Sequence, residues 1–149
     1  MSNEITATHV NKLGGAIPVL RVANAKAAAD YYVSVLGFKI DWGEGIFFSV
    51  SRDRCNVFLS EGDQGHPGAW VWIGVNDVVA LEAELRAKGA KIRHPPTNYD
   101  WALEMQVEDI DGNILRIGSE PIEGQPFGEW LDMYGRVWPP AEGAAPVCE

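Results

Sequence analysis

Trp70 and Trp72 stand two positions apart in Ala69-Trp70-Val71-Trp72-Ile73, a run that reads as a buried β-strand. Side chains alternate faces along a strand, so both indoles are expected on one side of a sheet. Together they make a broad, flat, apolar floor with two N–H donors, better suited to a planar organic molecule than to a metal ion or a phosphate. Core filling is the competing use of either ring. Catalytic patterns are missing: the sequence holds no Gly-x-Ser-x-Gly, no phosphate loop and no dinucleotide glycine motif. Asp109 and Asp111 flank a tight turn, where carboxylates usually accept from local backbone N–H groups. No catalytic residue is assigned.

The 149 residues suit one domain with a proper core. Acidic residues outnumber basic ones 21 to 12, a formal charge of −9. That field disfavours nucleic acid and anionic membranes and draws in cations. No apolar run approaches the roughly 20 residues of a membrane span. Cys55 and Cys148 form neither a disulfide framework nor a metal motif. Met1-Ser2-Asn3-Glu4 lacks the start of a secretory leader, so the expectation is a reducing cytoplasm.

The elements that position the indoles occur twice. Gly37-Phe38-Lys39-Ile40 recurs as Gly89-Ala90-Lys91-Ile92. Before each lies a helical pattern (Ala25 to Leu36, Asp77 to Lys88), and before each helix an apolar strand (Ile17 to Val22, Trp70 to Val75). After each glycine come three strands: Phe38–Trp42, Ile46–Ser51 and Asn56–Ser60, then Lys91–His94, Leu103–Val107 and Ile114–Gly118. Asp111-Gly112-Asn113 is a hairpin signal between the last two. Gly37 and Gly89 suit left-handed positions just past a helix end. Strand, helix, three strands, repeated once, predicts an α+β architecture with helices on one face of each sheet. The modules span about 16–61 and 69–119 within a single domain, 1–120. In the extension, 121–149, Gln125 to Tyr134 reads as a short amphipathic helix with Phe127, Trp130, Leu131 and Tyr134 on one side. It is expected to dock on its own domain, the alternative being that it reaches a partner subunit or closes one end of a ligand groove.

Ala16-Ile17-Pro18-Val19-Leu20, Tyr31-Tyr32 before Leu36-Gly37-Phe38, and Asp109-Ile110-Asp111-Gly112-Asn113 together resemble the glyoxalase/bleomycin-resistance (vicinal oxygen chelate) superfamily. The resemblance implies two tandem βαβββ modules in an incomplete barrel, and a dimer. Metal-dependent members carry a His near the start of each module's first strand and a Glu on each last strand. Ile17 and Trp70 hold the first positions here, Arg116 stands at the late Glu, and Phe58-Leu59 fills the matching region of module one. None of these ligates a divalent metal, and His9, His66 and His94 lie elsewhere, so no metal and no cofactor are expected.

Ala69 to Trp72, Asp41-Trp42, Phe47 and Trp101 resemble the metal-free bleomycin-resistance branch more closely. That likeness implies a homodimer sequestering a flat, cationic small molecule (a bleomycin-like drug or planar metabolite) in an aromatic interface groove, without chemistry. Phe47 and Trp101 would clamp the ring, with Trp70 and Trp72 as the floor and Trp42 alongside. Phe48 points away from Phe47, so a slip of one position would exchange them. Asp41, with Glu44, Glu61 and Asp63, would supply a negative rim. Arg116 would meet an anionic group of the ligand or, as the expected use, pair with Glu104 on a neighbouring strand. The alternative is an enzyme of the same fold, a lyase, isomerase or ring-cleaving oxygenase acting on a small metabolite, either metal-free or with an unusual metal site such as one on His66 or His94.

Overall fold

Strand β1 (Val19–Val22) buries Leu20 and Val22 and turns Val19 and Arg21 the other way, as a strand with one face on a core must. A computed structural model of the chain describes residues 11–138, and within them this unit is built twice. After β1 come helix α1 (Ala25–Ser34), β2 (Lys39–Glu44), β3 (Phe47–Arg52) and β4 (Cys55–Glu61). The second unit runs β5 (Trp70–Gly74), α2 (Val78–Ala87), β6 (Lys91–Asn98), β7 (Leu103–Glu108) and β8 (Ile114–Ser119). Each unit forms a four-stranded sheet, ordered β1-β4-β3-β2 and β5-β8-β7-β6. In each, the first pair is parallel and the rest antiparallel. Among the described residues no ladder joins the sheets, so the barrel is open, the α+β arrangement the repeat predicts.

Both helices start on a side-chain cap. Asn24 Oδ1 accepts from Ala27 N at 2.8 Å and Asp77 Oδ1 from Ala80 N at 3.0 Å. Ala25, Ala28, Ala29 and Tyr32 line one buried stripe of α1, which packs on β2, β3 and β4, while α2 packs on β6, β7 and β8. Gly37 and Gly89 take φ of 79° and 83°, the left-handed geometry expected past a helix end. Strand β6 outruns its expected end at His94, continuing through Pro95 and Pro96. It is an outer strand with two register shifts, where prolines are tolerated. No helix among the described residues is long and apolar enough to cross a membrane.

The short helix expected over Gln125 to Tyr134 does not form. The segment runs as a strap along β6 and ends in a hairpin, β9 (Trp130–Leu131) with β10 (Val137–Trp138). Side chains of the second sheet take the carbonyls a helix would need. Glu129 O accepts from Tyr99 Oη at 2.9 Å, Leu131 O from Gln106 Nε2 at 2.8 Å, and Asp132 O from Arg93. Asn98 Nδ2 donates to Ile122 O and Gln125 O. Phe127 and Tyr134 are exposed, whereas Trp130 and Leu131 are half-buried, so no common apolar stripe exists. Residues 139–149 lie outside the described residues.

The modules are fastened by the β7–β8 turn. Asp109, 3% exposed, accepts at Oδ1 from the N–H of Asp111 (2.8 Å) and of Asn113 (2.9 Å). Its Oδ2 accepts from Tyr32 Oη of α1 (2.8 Å) and from Asn113 Nδ2 (2.9 Å). Burial, and then the Asp109 carboxylate, push the Tyr32 hydroxyl well above its usual range, so it stays a donor. Asp111 Oδ1 accepts from Ala23 N at 2.8 Å, and Asn113 Nδ2 reaches Arg21 O at 3.4 Å. Asp109 and Asp111 thus have the structural roles expected of them. Arg52 also grips Glu84 with two bonds, of 2.7 and 2.9 Å, between β3 and α2. Replacing Asp109 with Ala strands four donors, and at about 1–3 kcal/mol for each unsatisfied buried group we expect a loss of at least about 3 kcal/mol. Tyr32→Phe removes one donor and should lose about half that or less. Urea unfolding of both variants checks this; an Asp109→Ala midpoint near that of the natural chain would contradict it.

Candidate functional site

On the second sheet, register places Trp72 of β5 beside Arg116 of β8, Arg116 beside Gln106 of β7, and Gly118 of β8 beside Glu104 of β7. Trp70 and Trp72 therefore share the helix-free face with Arg116, Gln106 and Glu104, as alternation predicts for the indoles. Glu104, 1% exposed, is the centre of this face. Its Oε1 accepts from Trp101 Nε1 at 2.9 Å, Trp72 Nε1 at 3.0 Å and Arg116 Nη2 at 3.2 Å, and its Oε2 from Arg116 Nε at 2.7 Å. Burial alone would raise this carboxyl, but the guanidinium and the two indole donors outweigh it and hold Glu104 below its usual range. The expected Arg116–Glu104 ion pair is present.

Trp72 reaches Glu104 over two glycines paired across the strands, Gly74 and Gly118. A Cβ on Gly118 would lie 3.3 Å from Trp72 Cζ2, and one on Gly74 3.3 Å from Trp72 Cζ3. Trp101 is 52% exposed, and its ring stacks on Tyr99 at 4.6 Å and 3°. Glu104 and Tyr99 thus fix the Trp101 plane from an edge and a face. Trp70 meets the strap, with Trp130 at 5.8 Å and the Arg93 guanidinium 5.6 Å from its ring.

On the first sheet, the register of β2 against β3 shifts around Asp41, so both Asp41 and Trp42 reach the helix-free face. Trp42 lies nearly parallel to Phe47 (5.9 Å, 11°), and Phe58 of β4 tilts against both at 5.4 and 5.3 Å. Phe48 is buried beneath, so the register that puts Phe47 on the open face is the one observed. Trp42 is 54% exposed. Asp41 accepts from Ser51 Oγ at 2.8 Å and Ser49 Oγ at 3.4 Å, with Lys39 Nζ at 3.6 Å. Glu61 is no rim group: it accepts from Ala25 N at 2.9 Å at the start of α1. Glu44 and Asp63 are exposed.

The expected site residues thus form two clusters within one chain. Asp41, Trp42 and Phe47 lie on the first sheet; Trp70, Trp72 and Arg116 lie on the second, with Trp101 in the loop between β6 and β7. No ring contact or hydrogen bond joins the clusters among the described residues. Sequence reading missed Phe58, Gln106, Tyr99, Arg93 and the strap's Trp130, and saw Glu104 only as an ion-pair partner. Alternation in Leu103-Glu104-Met105-Gln106-Val107 was the available signal, since it turns both polar side chains away from the core. A cleft of about 1210 Å³ opens elsewhere, lined by helix-side groups such as Leu36, Phe38, Val71, Ile73 and Leu81. It reaches Trp72 and Gly74 but none of Trp42, Phe47, Phe58, Trp70 or Trp101.

The positions at which the resemblance implies metal ligands do not fit a metal here. Trp70 packs on rings and cations, Arg116 is itself cationic, and Ile17 is hydrocarbon. Among the described residues, His66 and His94 included, no three His, Cys, Asp or Glu side chains gather as ligands; His9 and Cys148 lie outside that range.

Glu104→Gln would leave Arg116 unpaired and face its new amide donor with indole donors. We expect about 2–4 kcal/mol lost at neutral pH, with a red-shifted tryptophan emission. Because the folded carboxyl sits below its unfolded value, its stabilisation is complete above the ordinary glutamate range of about 4.3 and is lost as pH falls through the folded value. The gap between natural chain and variant should therefore narrow in acid. A gap that is constant from pH 7 to pH 3 would contradict the assignment.

No curated protein sequence matches the chain closely enough to count as a relative. Similar folds are found among solved structures. The bleomycin-binding protein of bleomycin-producing Streptomyces verticillus, complexed with copper(II)-bleomycin, is 25% identical with a TM-score of 0.65 over 74% of this chain and 98% of that one. TioX from Micromonospora sp. ML1 is 20% identical with a TM-score of 0.62 over 72% and 99%. A glyoxalase/bleomycin resistance protein/dioxygenase from Nocardioides is 16% identical with a TM-score of 0.61 over 85% and 97%. Residues 8–117 match the sequence pattern of the Glyoxalase/Bleomycin resistance protein/Dioxygenase superfamily, and the chain belongs to that superfamily.

Proposed function

We propose that this protein sequesters a flat, cationic small molecule, of the kind bleomycin exemplifies, in an aromatic groove, without chemistry. The observation that carries the reading is the Trp42–Phe47–Phe58 cluster, three mutually packed rings on a helix-free sheet face with the outer indole half in solvent. An exposed aromatic plane binds another flat ring by stacking. The Asp41 carboxylate beside it and the net charge of −9 favour a cationic guest. Trp101, braced by Glu104 and Tyr99, supplies a second plane at low entropic cost because its orientation is already set.

The two planes belong to different modules, so the reading places the groove between subunits. The first face of one protomer meets the second face of its homodimer partner, in the cytoplasm. Exposed Ile40, Trp42, Ile46 and Trp72 support such self-association. The bleomycin-bound neighbour lends the ligand class.

Titrating metal-free bleomycin while following tryptophan emission should give saturable quenching with one drug per subunit. Trp42→Ala and Trp101→Ala should each weaken binding roughly 5- to 100-fold, the worth of one stacked ring. Asp41→Asn should weaken it less, and its effect should fade with added salt. Light scattering should report a dimer. Absence of saturation at high micromolar drug would remove bleomycin as the ligand, and a monomer that binds it would remove the interface groove.

A further inference from the structure

The open face of the second sheet is not bare. Trp130 of the strap lies over it, its ring centre 5.8 Å from that of Trp70 at 41°, with the Arg116 guanidinium carbon 5.6 Å from its own ring centre. Arg93 sits 5.6 Å from the Trp70 ring. A flat ring held by an indole and a guanidinium is an arrangement in which proteins bind aromatic guests.

Two features make Trp130 an imperfect occupant. Its Nε1–H is buried and meets no acceptor among the described residues, so the slot takes the ring and leaves its donor unsatisfied there. The strap that delivers it also has little regular structure of its own. Its two strands are two residues each, and it is attached to the sheet chiefly through main-chain groups: the carbonyls of Glu129, Leu131 and Asp132 and the N–H of Gly128. Gly128 presses so closely on Thr97 that a Cβ there would collide with Thr97 Cγ2. The strap moreover follows the superfamily match in the chain. The superfamily match ends at residue 117, and the neighbours from Streptomyces and Micromonospora are 98–99% covered by under three-quarters of this chain.

We propose that the slot between Trp70 and Arg116 is a ring-binding subsite filled by the chain's own Trp130. It accepts a flat aromatic ring without an N–H donor when the strap withdraws. The subsite rests on the sequestration reading only for which natural ring enters it.

Naphthalene sulfonate is a suitable probe, being a fused ring with no N–H donor whose anionic group keeps it soluble and suits two neighbouring guanidiniums. Calorimetric titration of the full chain compares the natural protein with Trp130→Ala, which empties the slot, and Gly128→Ala, which keeps the indole and lifts the strap. Each variant should bind one probe about tenfold or more tightly than the natural chain. Adding Trp70→Ala to Trp130→Ala should abolish that gain. In the natural chain, the amides of Gly128 and Asp132 should exchange hydrogen about 100-fold faster than those of Met105 and Ile117, since the strap opens without the core. That arm needs no variant to fold.

Unchanged or weaker binding in both variants, a gain that survives Trp70→Ala, or strap amides that exchange only with the core would each overturn the subsite. Bleomycin titrated in parallel separates the two readings. A gain for naphthalene sulfonate without bleomycin binding removes the drug and keeps the subsite, and bleomycin binding without that gain removes the subsite alone.

Discussion

The Asp109 side chain is 3% exposed with no ion-pair partner among the described residues, and the relation between the modules depends on how its two oxygens are satisfied. An isolated buried carboxylate is strongly unfavourable; one that accepts from two backbone N–H groups, a phenol and an amide is not. Three of the donors, the N–H groups of Asp111 and Asn113 and the Asn113 side-chain amide, belong to the turn itself and fix its shape. Tyr32 belongs to α1 of the other module, and Asn113 extends the network to β1 through Arg21 O and to Ala69 N ahead of β5. Neither module can move far without stripping donors from a group that water does not reach. The Arg52–Glu84 pair links the modules too, but both side chains are about a third exposed, where solvent discounts such a pair.

The same physics recurs on the opposite side of the second sheet with another result. Glu104 is as deeply buried as Asp109, yet its donors are long side chains rather than turn amides. Satisfying it therefore aims rings: the N–H edges of Trp72 and Trp101 converge on one oxygen, and Arg116 on both. Once an indole edge is pinned, its broad face has little rotational freedom left to lose when something stacks on it. Gly74 and Gly118 complete the device, because side chains there would crowd the Trp72 ring.

Most of the fold was legible because its signals are local. Alternation, Asx caps and glycines past helix ends act within a few residues, and the elements of both modules fall close to where these signals put them. The site was only half legible. Alternation put Trp70 and Trp72 on one face, and the polar positions of β7 held a usable signal for Glu104 and Gln106. Nothing local marks Phe58 as the third ring against Trp42 and Phe47, since those contacts cross strands whose register is set elsewhere. The strap was misread for a related reason. Its apolar residues do repeat at helical spacing, but Asn98, Gln106, Tyr99 and Arg93 capture its backbone groups from the sheet below. A bonding partner outside the segment outcompetes the helix within it.

The repeat makes the unequal covering of the two faces informative. Each module presents a helix-free sheet face set with large rings, and water penalises both in the same way. On the first, Trp42, Phe47 and Phe58 shield one another and the outer indole stays half in solvent. On the second, the chain spends a further segment to lay Trp130 over Trp70, leaving an indole N–H without an acceptor among the described residues. A segment needed only to hide apolar surface would do so better with a leucine or phenylalanine, which has no donor to strand. The orphaned donor is therefore a poor fit for pure core filling, and a natural one for an occupant that must be able to leave.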